Sequence, residues 1–459
     1  MRPADLTKGP ATASADLPGL LRKARTVSSA SNGRFTLAHG AAAHALMIRI
    51  SSAGLAFASQ AVLAHLMGQH EFGIFAFAWV WFSVLGCFAN LGFGDSTIRF
   101  IPQLRSRGDD VYLRGYLRFA PAAAFAGSVL AGVIAVAAVI IARPFLDPAY
   151  VVPLIVMVTA VPLVSLQSVL EGVGRSYEWI VAALVPIYIL RHGFLLLFMA
   201  AAVSLGYAAT AVTALWCVAL AAAAALAWQA VAIIRRLRGA VPHGARAYRP
   251  REWIRGSVPF TVLHGAGVLF GFTDVMVLSL FAAPAEVAVY FAATRVIQVA
   301  NLIPYAARVA ASHLFSAAHA RGDVDAIQRL AEQMTRLTFA AAFVCLAGIA
   351  AGGEWLLSAF GDGFTTGYIP MLILAAGVIA AISAGPAEEI LNMTGHGIVS
   401  AWSSVVLVAL SIALNLALII PFGVIGAAAA TSILLAGRSA WLAYEVRRRL
   451  GVRTWMWSG

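Results

Sequence analysis

Charge is what this chain most lacks. Asp, Glu, Lys and Arg make up 11% of its 459 residues while 61% are hydrophobic, against about a quarter charged in a soluble globular domain. The deficit excludes an ordinary soluble protein and points to a chain whose solvent is mostly lipid. Cysteine is scarce as well. Cys87, Cys217 and Cys345 lie inside apolar runs without ligand spacing, so neither a disulfide framework nor a metal centre is expected, and the three read as small packing residues. His44, His65, His192 and His264 are scattered in the same way, which gives a metal nothing to bind. No Gly-x-x-x-x-Gly-Lys-Ser/Thr loop is present, so ATP is not expected to drive the chain directly. The non-cytoplasmic connections are short and their acidic residues Asp147, Glu354 and Asp362 isolated. An enzyme such as a membrane-embedded glycosyltransferase or ligase is therefore not expected, and no cofactor is implied.

What the chain has in abundance is long apolar runs. They predict an all-α polytopic membrane protein with twelve transmembrane helices, at about 41–66, 72–98, 116–142, 149–171, 179–203, 207–233, 257–281, 286–311, 333–353, 367–391, 398–420 and 423–446, each near the ~20 apolar residues a bilayer requires. Alternate connections differ in charge. One set holds the single basic residue Arg143, whereas the other carries runs such as Arg105, Arg107, Arg114 and Arg118, or Arg447, Arg448 and Arg449. Positive charge collects on the cytoplasmic side. Both termini are therefore expected in the cytoplasm. The net charge of +12 is explained by this distribution, and nucleic acid is not expected as a partner.

The longest basic connection, from Arg235 to Arg255, falls at mid-chain and divides six spans from six. The expected organisation is a loosely ordered tail over 1–38, an N-terminal six-helix bundle over 39–234, a basic linker over 235–256, a C-terminal bundle over 257–446 and a second tail over 447–459. Two pseudo-symmetric bundles around a central cavity would leave internal similarity. Aligning HLMGQHEFGIFAFA with SLFAAPAEVAVYFAA places Glu71 on Glu286 and Gly73 on Ala288, and the same offset places Phe57 on Phe272.

Ionisable groups deep in a bilayer cost about 2.5–3.5 kcal/mol each and are expected to face a wet interior with a partner. Arg49, Arg191, Arg295 and Arg438 are the deep cations and Asp274 the deep carboxylate. Asp274 and Arg295 lie at similar depths on either side of the turn at Ala283-Pro284, so they are expected to pair or to serve coupling. Four guanidinium groups against one carboxylate leave surplus positive charge, and the planar guanidinium fork matches phosphate oxygens. An anionic, phosphate-bearing substrate fits such a cavity. Gln60, Asn90, Gln298 and Asn415 are the expected polar lining. Arg99, Arg308, Glu171, Glu388 and Glu389 lie nearer the cytoplasmic interface, where snorkelling explains them.

The pieces LMGQHEFGIFAFA and ANLGFGDSTIRFIPQ in the first half, with FTDVMVLSLFAAPAEVAVYFAATRV in the second, resemble the polysaccharide or O-antigen flippase branch of the multidrug/oligosaccharidyl-lipid/polysaccharide exporter superfamily. The resemblance implies two six-helix lobes around a V-shaped cavity and a flippase for undecaprenyl-diphosphate-linked oligosaccharide, working by alternating access in surface or exopolysaccharide synthesis. It implies a lipid-linked oligosaccharide and membrane lipids as partners, with a polysaccharide polymerase and glycosyltransferases nearby. Arg49 and Arg295 would hold the diphosphate or acidic sugars, with Asp274 as counter-ion or coupling carboxylate. The competing readings are a multidrug/cation antiporter of the same fold and a non-transporting envelope assembly protein. The first span lacks the acidic residues a cation site needs, which counts against the antiporter.

Overall fold

The computed structural model describes the backbone of residues 17–456 and the side chains of 47–456 other than 309 and 310. Residues 1–16 of the expected N-terminal tail and 457–459 of the C-terminal tail lie outside the described residues. From Leu17 onward the tail is helical and runs into the first span. Lipid requires that backbone polar groups be satisfied within the spanning segment, and among the described residues every regular element is helical. In chain order these are α1 (Leu17–Ala89), α2 (Phe93–Ser106), α3 (Asp110–Ala142), α4 (Pro148–Val158), α5 (Val161–Ser176), α6 (Ile180–Val185), α7 (Arg191–Ser204), α8 (Ala211–Ala240), α9 (Pro250–Phe270), α10 (Thr273–Phe281), α11 (Pro284–Ala300), α12 (Leu302–Ala320), α13 (Val324–Ser358), α14 (Tyr368–Ser383), α15 (Ala387–Met393) and α16 (Gly397–Leu450).

The chain is an all-α, multi-span membrane protein. Eight helical stretches among the described residues are long and apolar enough to cross a membrane, or ten if α4 with α5 (bent 41°) and α9 with α10 (bent 49°) each form one span. The two longest stretches are broken at Gly68 (φ 73°, ψ 173°) and Gly423 (φ 54°, ψ −129°). Phe57 and Phe72, on either side of Gly68, both lie against Phe360, with ring centroids 5.4 and 6.3 Å away. A straight helix would hold two residues so spaced about 22 Å apart, so the chain doubles back at Gly68. Gly426 likewise packs on the carbonyl of Leu418, which only a reversal at Gly423 permits.

Several spans that read as continuous are broken inside the membrane. The second breaks between α1 and α2, where Leu91 (φ 53°) and Gly92 (φ 72°) take left-handed backbone. The tenth breaks between α14 and α15 at Gly385 (φ 77°) and Pro386. Apolar continuity in a sequence reports solvent, not dihedral angles, which is why these breaks were not expected.

The first and second halves of the chain meet in an aromatic seam. Phe72 stands 5.9 Å from both Phe75 and Phe291 and 6.0 Å from Phe364, centroid to centroid. The approach needs Gly73, because a Cβ there would collide with the Pro284 carbonyl. At the opposite end, Trp253 at the start of α9 is buried between Tyr116 and Phe119 of α3, both rings 5.3 Å away. The basic connection is strapped to α3, with Arg114 donating to the carbonyls of Ala245 (2.8 Å) and Pro242 (3.3 Å) and Arg249 lying 3.9 Å over Tyr112. The opening helix of the second half is thus anchored on the first.

Gly73→Val is expected to destabilise the protein by about 1–3 kcal/mol, the usual cost of overpacking, or to stop it assembling. Gly193→Ala, where a Cβ meets nothing within 4 Å, is expected to leave the thermal unfolding midpoint in detergent close to wild type.

Candidate functional site

Helix α9 separates two polar chambers. Phe260, Thr261 and His264 face the first, while Leu263, Gly267 and Phe270 face the second. These are two faces of one helix, each built on three- and four-residue spacing.

The first chamber, about 130 Å³, is lined by residues of α1, α2, α5, α9 and the Pro186–Leu190 turn. The break after Ala89 shapes it. Asn90 accepts from the Gly92 N–H at 2.8 Å through Oδ1, and its Nδ2 donates to Ser168 at 3.4 Å. Gly92 is required twice over, by its left-handed φ and because a Cβ would collide with the Ser257 carbonyl of α9. Leu91 holds the same backbone region with a side chain, the kind of local strain that packing must support and that gathers at functional sites.

Four charged groups and one histidine face this space. Asp95 on α2 lies 3.2 Å from His264 Nδ1 on α9, and Glu171 lies 3.6 Å from Arg175. That leaves Arg49, whose guanidinium sits 4.1 Å over the ring of Tyr188 and 5.6 Å from that of Tyr305. Arg49 makes no ion pair among the described residues. Tyr188 belongs to the first half and Tyr305 to the second, so a cation is clamped between aromatic faces from both. Tyr188 reaches it from a single π-helical turn, Pro186–Leu190, a local distortion common at functional sites.

The second chamber, about 390 Å³, lies between α9, α15 and α16, with a further cavity of about 170 Å³ on its α12 and α14 side. Its centre is Glu388, which accepts from Arg438 at 2.7 and 3.1 Å and from Ser400 at 2.9 Å. Arg438 also donates to Ser404 at 3.2 Å. Asn301, Arg308 and Glu389 are among the residues that line the smaller cavity.

Several expectations are corrected here. Asp274 and Arg295 form no ion pair among the described residues. The Asp274 carboxylate instead accepts from Tyr290 at 2.6 Å, Thr431 at 3.1 Å and the Val275 N–H at 2.8 Å, because α11 and α16 bring hydroxyls to it first. Arg295 lies 4.2 Å over Phe291 and donates to Gln298 at 2.8 Å. Arg438 is not surplus charge, since Glu388 occupies its fork, and Glu388 is not merely an interfacial residue that snorkels. Asn415 is buried in helix packing, donating to the Ser411 carbonyl at 2.9 Å. Gln60 is buried too, and its Oε1 has no partner among the described residues. Arg191 is half-buried with an unpartnered Nε. Asn90 does line a chamber, and Gln298 is exposed.

Tyr188, Tyr305, Asp95 and His264 were not expected at a site. A signal for one of them lay in the sequence: the offset that places Glu71 on Glu286 also places Arg49 on His264. The two meet in one chamber.

Glu388→Gln is expected to cost about 1–3 kcal/mol by stranding Arg438, below the ~3–5 of a fully buried pair because the two side chains are 35% and 17% exposed. Glu388→Gln with Arg438→Gln is expected to recover part of the loss in a double-mutant cycle on thermal unfolding.

Sequence comparison with curated proteins finds no match. By structure the chain is similar to an inward-facing conformation of a multidrug resistance MATE family transporter of the MOP superfamily, with 14% identity and a TM-score of 0.71 over 88% of this chain and 98% of that one. It is similar to a MOP superfamily transporter from Pyrococcus furiosus, with 13% identity and a TM-score of 0.64 over 90% and 95% of the two chains. An outward-facing MATE conformation gives 15% identity and a TM-score of 0.62 over 89% and 95%. What is shared with these structures is the fold. Residues 38–311 match the polysaccharide biosynthesis protein family, and this chain, a multi-pass membrane protein with the MOP superfamily fold, belongs to that family.

Proposed function

We propose that the chain is a flippase that carries undecaprenyl-diphosphate-linked oligosaccharide from the cytoplasmic to the periplasmic leaflet of the inner membrane. The single observation that carries this is Arg49: a guanidinium without an ion-pair partner among the described residues, held in a polar chamber between rings from both halves, in a member of a polysaccharide biosynthesis family. A diphosphate with its sugars would lose many hydrogen bonds in crossing lipid, each worth several kcal/mol by order of magnitude. Arg49, with Arg191 and Arg295, replaces that hydration. Arg438 meets substrate by exchanging Glu388. Asp274, held by hydroxyls of α11 and α16, is the coupling carboxylate.

The architecture that goes with this function is twelve crossings in two pseudo-symmetric bundles, 39–234 and 257–446, with the linker 235–256 and both tails cytoplasmic. The Gly68 and Gly423 reversals, added to the ten spans counted with bent pairs joined, support the number. The aromatic seam around Phe72 closes the short-loop end while both chambers sit nearer the basic end, which supports an inward-open resting state. Rocking of the bundles then alternates access. Glycosyltransferases supply the substrate and a polymerase consumes the product.

Arg49→Glu and Arg295→Glu are expected to abolish surface polysaccharide while the protein remains in the membrane; wild-type polymer from either would remove that residue from the mechanism. The fold likeness to MATE transporters favours drug export as a second reading. Drug sensitivity of a deletion strain with normal polysaccharide would establish it. Purified chain in vesicles separates transport from an assembly role, since an assembly protein would leave the lipid-linked sugar in its original leaflet.

A further inference from the structure

The two arms of α16, on either side of Gly423, form a groove of about 800 Å³. Small residues, Ala413, Ala417 and Gly437, line it together with bulky ones such as Trp402, Leu410 and Ile433. One charged side chain lines it, Arg438, with the small hydroxyl of Ser403 beside it, and Arg438 also lines both cavities of the second chamber. Leu407 is shared as well. The polar chamber and the apolar groove are therefore separated by side chains that face both, Leu407 and Arg438. From Trp402 to Ala417 the groove runs about 22 Å at 1.5 Å per residue, most of the ~30 Å hydrocarbon thickness.

We infer that this groove holds the polyisoprenoid chain of the lipid-linked substrate while its anionic head is in the chamber, and that Leu407 and Arg438 form the portal between them. The inference rests on the flippase function proposed above. A head group drawn to the depth of Arg438 drags its tail with it, and the tail has to leave the protein sideways. The groove opens at that depth. Its charge pattern matches a lipid of this kind: an Arg438 fork that a diphosphate can take over from Glu388, an Nε that is buried without a partner among the described residues, and beyond them only apolar and small side chains. Because it spans most of the membrane, it lets the tail reverse direction without leaving its track as the head crosses. An ordinary lipid-facing surface has no reason to meet the interior at a guanidinium.

Gly437 gives a clean test, because a Cβ there meets no atom within 4 Å and a larger side chain grows into the groove rather than the core. Full-length protein in phosphatidylethanolamine/phosphatidylglycerol nanodiscs is irradiated with a long-chain polyprenyl-diphosphate disaccharide carrying a diazirine in its chain. Label is expected on Trp402, Leu410 and Ile433, displaced by unlabelled polyprenyl diphosphate. Gly437→Trp, with Ala413→Trp on the other arm as a second variant, is expected to weaken long-chain binding roughly tenfold, the factor that follows when about two methylenes lose their burial. A two-isoprene analogue should bind both variants as it binds wild type. The groove assignment is overturned if label spreads equally to other lipid-facing residues such as Val133 on α3 and Val344 on α13, if diazirine phosphatidylglycerol labels the groove as strongly, or if both variants bind the long-chain probe normally. Those outcomes leave the flippase function standing. Failure of long- and short-chain probes alike to bind wild type would overturn both.

Discussion

The cost of leaving a polar group alone in hydrocarbon governs this molecule. An unsatisfied backbone group there costs several kcal/mol, and among the described residues the chain answers with helices throughout. Side-chain charges meet the same demand by neutralisation or by wet surroundings. Glu388 with Arg438 takes the first course, bidentate at 2.7 and 3.1 Å, and Asp274 is cradled by two hydroxyls and an amide. Arg49 sits instead in the polar first chamber. Its aromatic clamp tolerates a cation without cancelling it, so the charge stays available to an anion.

Helix α9 is where the two halves become one machine. Its start is anchored on α3 through Trp253, Ser257 shares a 2.7 Å hydrogen bond with Ser96 of α2, and further along the helix His264 meets Asp95. Its other face walls the second chamber. Both chambers thus share one wall, while the Phe72 seam joins the halves at the far end.

Much of the fold was legible beforehand because hydropathy is a local property. The all-helical, multi-span character and the short turn at Ala283-Pro284 follow from which residues lipid accepts. The breaks at Leu91-Gly92 and Gly385-Pro386 did not show, since each is a backbone choice that pays only when a neighbour, Ser257 in the first case, fills the space. Among the residues singled out by depth, Arg49 and Asn90 line the first chamber. Asn415 was misassigned because depth carries no direction: it lies on the buried face of α16, bonded to Ser411.

The sequence by itself determined that this is a helical membrane protein with cations carried into the bilayer, because partition between water and lipid depends on composition along each run. Only the tertiary structure decided which cations are free. Arg438 is neutralised by a carboxylate distant in the chain, Arg295 leans on Phe291 instead of Asp274, and Arg49 is left to the rings of Tyr188 and Tyr305. Pairing is a matter of a few ångströms between helices, and no pattern along a single helix records that distance.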